Sequence, residues 1–211
     1  MSLCIYCYHD KLYTLANGYQ KCAKCKRKFS PKKIDLEKQI IEAFCASKSA
    51  FAFAKEENRS YEKIYKIYNK LRLKIAQESE HNFLKQMDNV HEYEEYIYMP
   101  RYKKNDPNAL YESHNIMIFD YKGKIYTTLI RIENRYTPQN IDRIALKKIF
   151  TSQKIAKTKS YENKITKFIE FFELEIRRFR GVSKEKFFYY LKECEFLFNY
   201  DIKQRREILE R

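Results

Sequence analysis

The chain has 211 residues, with 43 Lys and Arg against 28 Asp and Glu and a formal net charge of +15, the electrostatic footprint of a polyanion binder. Its length allows one ordinary domain with one or two small modules around a real apolar core. No apolar run approaches the roughly 18 residues of a membrane span, and the opening MSLCIYCYHDK lacks the basic and apolar regions of a signal peptide, so a cytoplasmic protein that meets no membrane is expected.

The first predicted element is a ribbon. Cys4-x-x-Cys7 and Cys22-x-x-Cys25 are separated by fourteen residues. Each Cys-x-x-Cys turn aims two thiolates at one point, and two such turns close the S4 site of a structural Zn2+. A ribbon this small needs that metal to fold. Between the pairs, KLYTL alternates like a strand and Asn17-Gly18 signals a two-residue hairpin turn. His9 is expected to stay exposed, because four cysteines already complete the site. Lys26, Arg27, Lys28, Lys32 and Lys33 follow the second pair directly and suit phosphate contact. Cys45 and Cys194 stand alone in apolar surroundings and read as small core residues.

From Ile34 the pattern turns helical, with Leu36, Ile40, Ala43 and Phe44 on one face. A second short helix is predicted from Ser49 to Glu57 and a third after it, capped by Asn58 or Ser60. Ala54, then Asn58 at the bend, then Ile64 and Ile67 inward is the spacing of a helix-turn-helix, with Asn tolerating the left-handed conformation usually given to Gly. Tyr61, Lys63, Lys66 and Asn69 then line the outer face, as residue types that reach base edges and phosphates in a major groove. The plainer alternative is a helical hairpin linking two domains. Further on, NVHEYEEYIYMP alternates as a strand, and SHNIMIFDYKGKIYTTLIRI reads as two strands joined at Tyr121-Lys122-Gly123. A helix is expected to open at Thr137-Pro138.

In CIYC, KCAKCKRKFSP, SAFAFAKEENRSYEKIYKIYNKLR and RRFRGVSKEKFFYYLKECEFLFNY, the chain resembles the zinc-ribbon class of bacterial insertion-sequence transposases. The resemblance implies an α+β chain: a zinc ribbon over 1–33, a helix-turn-helix over 34–80, and over 88–211 a truncated ribonuclease H-like domain with a small, mostly antiparallel sheet and C-terminal helices. It implies double-stranded DNA as partner, terminal inverted repeats in particular, and a nucleoid-associated location, and it leaves a homodimer open. Catalysis in that class runs through three carboxylates and two Mg2+ ions. Glu94 stands at the first position, where the family has Asp. The second would fall in FTSQKIAKTKSYENKI, which contains no Asp, and Thr166 stands at the third, with Glu162 and Glu170 one helical turn to either side. The expected function is therefore transposase-derived DNA binding with cleavage lost, and Mg2+ matters only if catalysis persists. Two other readings stay open: a working transposase or metal-dependent nuclease using Glu94, and an adaptor whose ribbon and aromatic C-terminal helices bind another protein.

Overall fold

The computed structural model describes residues 3–99, 113–130, 163–179 and 181–210. It is a mixed helical and antiparallel fold with two three-stranded sheets. The first sheet joins β1 (Leu12–Thr14), β2 (Gln20–Cys22) and β3 (Lys28–Phe29) in that order. Its β1–β2 loop is longer than the expected two-residue turn. Leu15 pairs with Tyr19, the Gly18 amide donates to Leu15 O, and only Gly18 takes a left-handed φ of 78°. That is a three-residue hairpin loop with glycine at its bulge position.

Three helices follow. α1 (Pro31–Cys45) begins three residues before Ile34, because Ser30 caps it, accepting from the Lys33 amide, and Pro31 sits in the first turn. α2 (Ala50–Glu56) is capped by Ser49, whose hydroxyl accepts from the Ala52 amide. α3 (Tyr61–Leu84) starts after Ser60, which makes no side-chain cap bond. α1 and α2 stop in the same way. Ser47 and Asn58 adopt left-handed φ of 61° and 49°, and the amides beyond them, Lys48 and Arg59, donate back to Ala43 O and Ala54 O at 2.9 and 2.8 Å. These are Schellman ends built without glycine, in a chain that has only three. Inside the corner, Ile40, Phe44, Phe53, Ala54, Ile64 and Tyr68 are buried, and Ile67 packs partly against them.

The second sheet is a meander of β4 (Val90–Tyr98), β5 (His114–Tyr121) and β6 (Lys124–Ile130). Lys122 and Gly123 both take positive φ, 47° and 72°, the two-residue turn that matches strand twist. Registry sets Glu94 opposite Ile118 and Ile118 opposite Thr127, and sets Tyr96 opposite Ile116. Directly paired residues share a face, so Glu94, Tyr96, Ile116, Ile118 and Thr127 look the same way. That face is covered by α4 (Lys164–Glu175) and α5 (Phe187–Asn199), with Ile165, Phe168, Phe172 and Leu191 packed on Ile116, Ile118 and Ile125. A last helix, α6 (Ile202–Glu210), turns back along α1. The expected helix at Thr137-Pro138 lies outside the described residues, as does Glu162.

Packing crosses the boundary expected near residue 80. α3 runs on to Leu84, and the cluster around Phe44 and Tyr68 also contains Phe196 from α5 and Leu209 from α6. Two buried ion pairs reinforce this joint. Arg72 Nε of α3 meets Glu193 Oε2 of α5 at 2.7 Å, and the Arg72 guanidinium lies 4.0 Å from the centre of the Tyr190 ring. One turn along, Lys192 Nζ meets Glu195 Oε2 at 2.8 Å. Glu195 also accepts from Ser79 of α3 and from the Thr127 amide and hydroxyl of β6. A buried carboxylate without such donors would cost several kcal/mol.

Candidate metal centre and nucleic-acid face

The two Cys-x-x-Cys turns are copies of one another. In the first, the Cys4 amide donates to His9 O at 2.9 Å and the Tyr8 amide to Cys4 O at 2.9 Å. In the second, the Cys22 amide donates to Arg27 O at 3.0 Å and the Lys26 amide to Cys22 O at 3.1 Å. The residue after each second cysteine, Tyr8 or Lys26, is left-handed, with φ of 56° and 61°. This backbone winds each pair of sulfurs around one point, and the antiparallel pairing of β1 with β2 brings the two points together.

Sγ of Cys4 lies 3.6 Å from Sγ of Cys25, Sγ of Cys7 lies 3.6 Å from Sγ of Cys22, and all four fall within 4.8 Å of one another. A disulfide needs about 2.05 Å. Four sulfurs placed tetrahedrally about 2.3 Å from one ion stand about 3.8 Å apart, so the spacing fits a shared metal. Burial pushes the Cys22 thiol up, but amide donation from Cys25 and Lys24 to its sulfur, at 3.4 and 3.3 Å, outweighs it and brings the group down to about 6. Backbone donation from Arg27 lowers the neighbouring Cys25 thiol, but burial and hydrogen bonding with the other cysteines outweigh it and carry that group the other way, up to about 11, so the four sulfurs share few protons rather than each titrating alone. His9 is half-buried rather than exposed, and its Nδ1 faces Asp10 at 3.5 Å. Elsewhere burial pushes the Cys45 thiol up to about 11 and holds the Cys194 thiol well above its ordinary range. Both are core residues, as expected.

Phe29 closes the ribbon's small interior, against which Ile34 of α1 packs. The basic run therefore lies along the junction of ribbon and helix, and Lys26, Arg27, Lys28, Lys32 and Lys33 are all exposed. Arg27 is steadied over the Tyr6 ring, 5.0 Å from its centre. On α3, Tyr61, Lys63 and Lys66 are exposed. Asn69 departs from the outward role expected of it. It is half-buried, and its Oδ1 accepts from Arg72 Nη1 at 2.9 Å, so it serves the α3–α5 joint.

The chain matches no family model, no curated protein and no solved structure. Its chemistry is therefore read from its own residues.

Glu94 is half-buried on the helix-covered face of β4. To one side of it Glu92 accepts from Asn163 Nδ2, and to the other Tyr96 donates to Glu173 Oε1 at 2.5 Å, so β4 runs along α4 with Glu94 between the helix's two ends. Thr166 belongs to the first turn of α4. Its amide donates to Asn163 Oδ1 and its hydroxyl to Asn163 O, both at 2.8 Å, which makes it part of the helix cap. Glu170 is exposed. Sequence reasoning passed over Asp120, in FDYKG. It is buried opposite Ile125 and faces His91 Nε2 at 3.4 Å through Oδ2. The isolated acid among β-branched and aromatic residues was its only signal. Among the described residues, the four cysteines are the only His, Cys, Asp or Glu group of three or more with ligand atoms this close.

Proposed function

We propose that the protein is a transposase-derived DNA-binding protein of the zinc-ribbon insertion-sequence class that holds double-stranded DNA and no longer cuts it. The observation that carries this is the exposed basic run from Lys26 to Lys33, fixed to a four-cysteine centre and to the N-terminus of α1. Zinc is the metal assigned to that centre, because an all-sulfur tetrahedral set with no open position is its structural preference. The α1–α3 corner acts as a helix-turn-helix, offering Tyr61, Lys63 and Lys66, and the β4–β6 meander under α4 and α5 is what remains of a ribonuclease H-like domain. Cleavage is lost because two-metal chemistry needs carboxylates converging from separate elements. Thr166 spends its hydroxyl on a helix cap, and among the described residues Glu94 belongs to no group of three or more His, Cys, Asp or Glu side chains close enough to share an ion.

The test is binding of a labelled duplex across a salt series, with and without Mg2+. Each neutralised phosphate contributes about −0.9 to the slope of log affinity against log salt. Replacing Lys26, Arg27, Lys28, Lys32 and Lys33 with Ala should make that slope shallower by about 2 to 4. An unchanged slope would remove the basic run from the interface, and cleavage that requires Mg2+ and disappears in Glu94→Gln would establish the enzyme reading instead. The adaptor reading draws on the ribbon's exposed Ile5, Tyr8, Tyr13 and Tyr19. It predicts no salt-dependent DNA binding at all.

A further inference from the structure

The corner between α2 and α3 carries an aromatic ladder that leaves the core. Phe51 is 66% exposed and Tyr61 46%. The Phe51 ring meets Tyr61 edge-on at 6.1 Å between centres, and Tyr61 stacks on Tyr65 at 5.5 Å with the planes 29° apart. The far end is closed by Lys186, from the turn before α5, whose Nζ lies 5.3 Å from the centre of the Tyr65 ring and 3.3 Å from its hydroxyl. Lys55, Arg59, Lys63 and Lys66 are exposed around the same corner.

The inner side of the corner needs none of these outer rings. Ala50, Phe53 and Ala54 fill the buried face of α2, and Ile64 and Tyr68 that of α3. Two exposed rings, Phe51 and Tyr61, backed by the half-buried Tyr65 and ringed by cations, match one ligand chemistry well. Nucleic-acid bases stack on such rings whatever their sequence, while the adjoining backbone follows positive charge. Duplex DNA keeps base faces inside its stack, so a ring can meet them only where bases are unpaired.

We propose that Phe51, Tyr61 and Tyr65 form a stacking platform for unpaired bases of DNA, with Lys186 and the corner's other cations on the neighbouring phosphates. This rests on the DNA-binding reading above and adds a second mode to it: the ribbon run holds duplex phosphates, and the ladder takes bases exposed at an opened end or a single strand. Tyr61 and the corner's cations belong to both modes, whereas Phe51 belongs to the ladder alone and the run from Lys26 to Lys33 to the duplex alone, so the modes separate by substitution at those positions.

The experiment uses the full chain with a labelled single strand and with the duplex of the same sequence, at one salt concentration, together with a single strand carrying a fluorescent base analogue. Phe51→Leu and Tyr61→Leu keep apolar volume and remove the π-face at exposed positions, and circular dichroism checks that both variants are folded. Each should weaken single-strand binding by roughly 5- to 150-fold, the range of one base–aromatic stack, and abolish quenching of the analogue, while Phe51→Leu, which has no part in the duplex face, should leave duplex binding within about twofold. Equal losses on single strand and duplex in Phe51→Leu, or unchanged single-strand binding and quenching in either variant, would overturn the platform. Wild-type protein that binds duplex but not single strand would overturn the platform and leave the DNA-binding reading standing. Wild-type protein that binds neither would overturn both.

Discussion

Arg72→Met tests whether the α3–α5 joint holds the molecule as one unit. Arg72 and Glu193 are each 3% exposed and meet at 2.7 Å, so removing the guanidinium strands a carboxylate with no water to turn to. Breaking a buried pair from one side costs about 3–5 kcal/mol. Loss of the contact with the Tyr190 ring, 4.0 Å away, adds about 0.5–2 kcal/mol. For a chain of 211 residues, each kcal/mol moves the melting temperature by about 2–4 °C, so a fall of about 7–28 °C is expected. Glu193→Leu added to Arg72→Met should recover most of that loss, because two apolar side chains of similar volume leave nothing unpaired. The assay is urea denaturation followed by circular dichroism, with the m-value required to stay constant so that only native stability has changed. A single-variant loss under about 1 kcal/mol, or a double variant no better than the single, would refute the reasoning. Because Phe196 and Leu209 sit in the core of the α1–α3 corner, helix and sheet signals should also be lost in one transition. Two separated transitions would show that the joint is dispensable.

Two further outcomes follow from individual side chains. One metal ion per chain should be found by elemental analysis, and Cys22→Ser should abolish it and unfold the ribbon, since the tetrahedral set has no spare ligand; unchanged stoichiometry would exclude the site. His114 is stacked on Phe187 at 3.6 Å with planes 3° apart, and burial, helped by Lys184, lowers its pKa from 6.5 to about 4. The native state then binds fewer protons than the unfolded chain between those values, so the stability linked to the neutral ring is complete above about pH 6.5 and lost as pH falls toward 4. His114→Phe should flatten that part of the stability–pH curve by up to about 3 kcal/mol, and an unaltered curve would show that His114 does not titrate with folding.

Features set by neighbours in sequence were legible before the fold was known. The cysteine spacing announced the four-sulfur centre, Ser49 announced the start of α2, and Asn58 announced the left-handed stop after it. Ser47 makes the same stop after α1 but has no propensity for it, because the helix end there is imposed by the backbone bonds from Lys48 to Ala43 and from Ser47 to Phe44. What depends on partners far along the chain was not legible at all. LKECEFLF in α5 carries three charged side chains, yet Lys192, Glu193 and Glu195 are all buried. Their partners Arg72, Ser79 and Thr127 lie on α3 and β6, more than sixty positions away, and no periodicity within α5 can register them. A buried charge is tolerable only where its partner has already been brought to it. These three residues therefore specify how α3 sits on α5, and with it the angle at which Tyr61, Lys63 and Lys66 are presented. Apolar residues at 192, 193 and 195 would pack the same surface but leave the sliding of α3 along α5 far less constrained, so in the proposed reading the helix that meets DNA is oriented by buried charges on another helix.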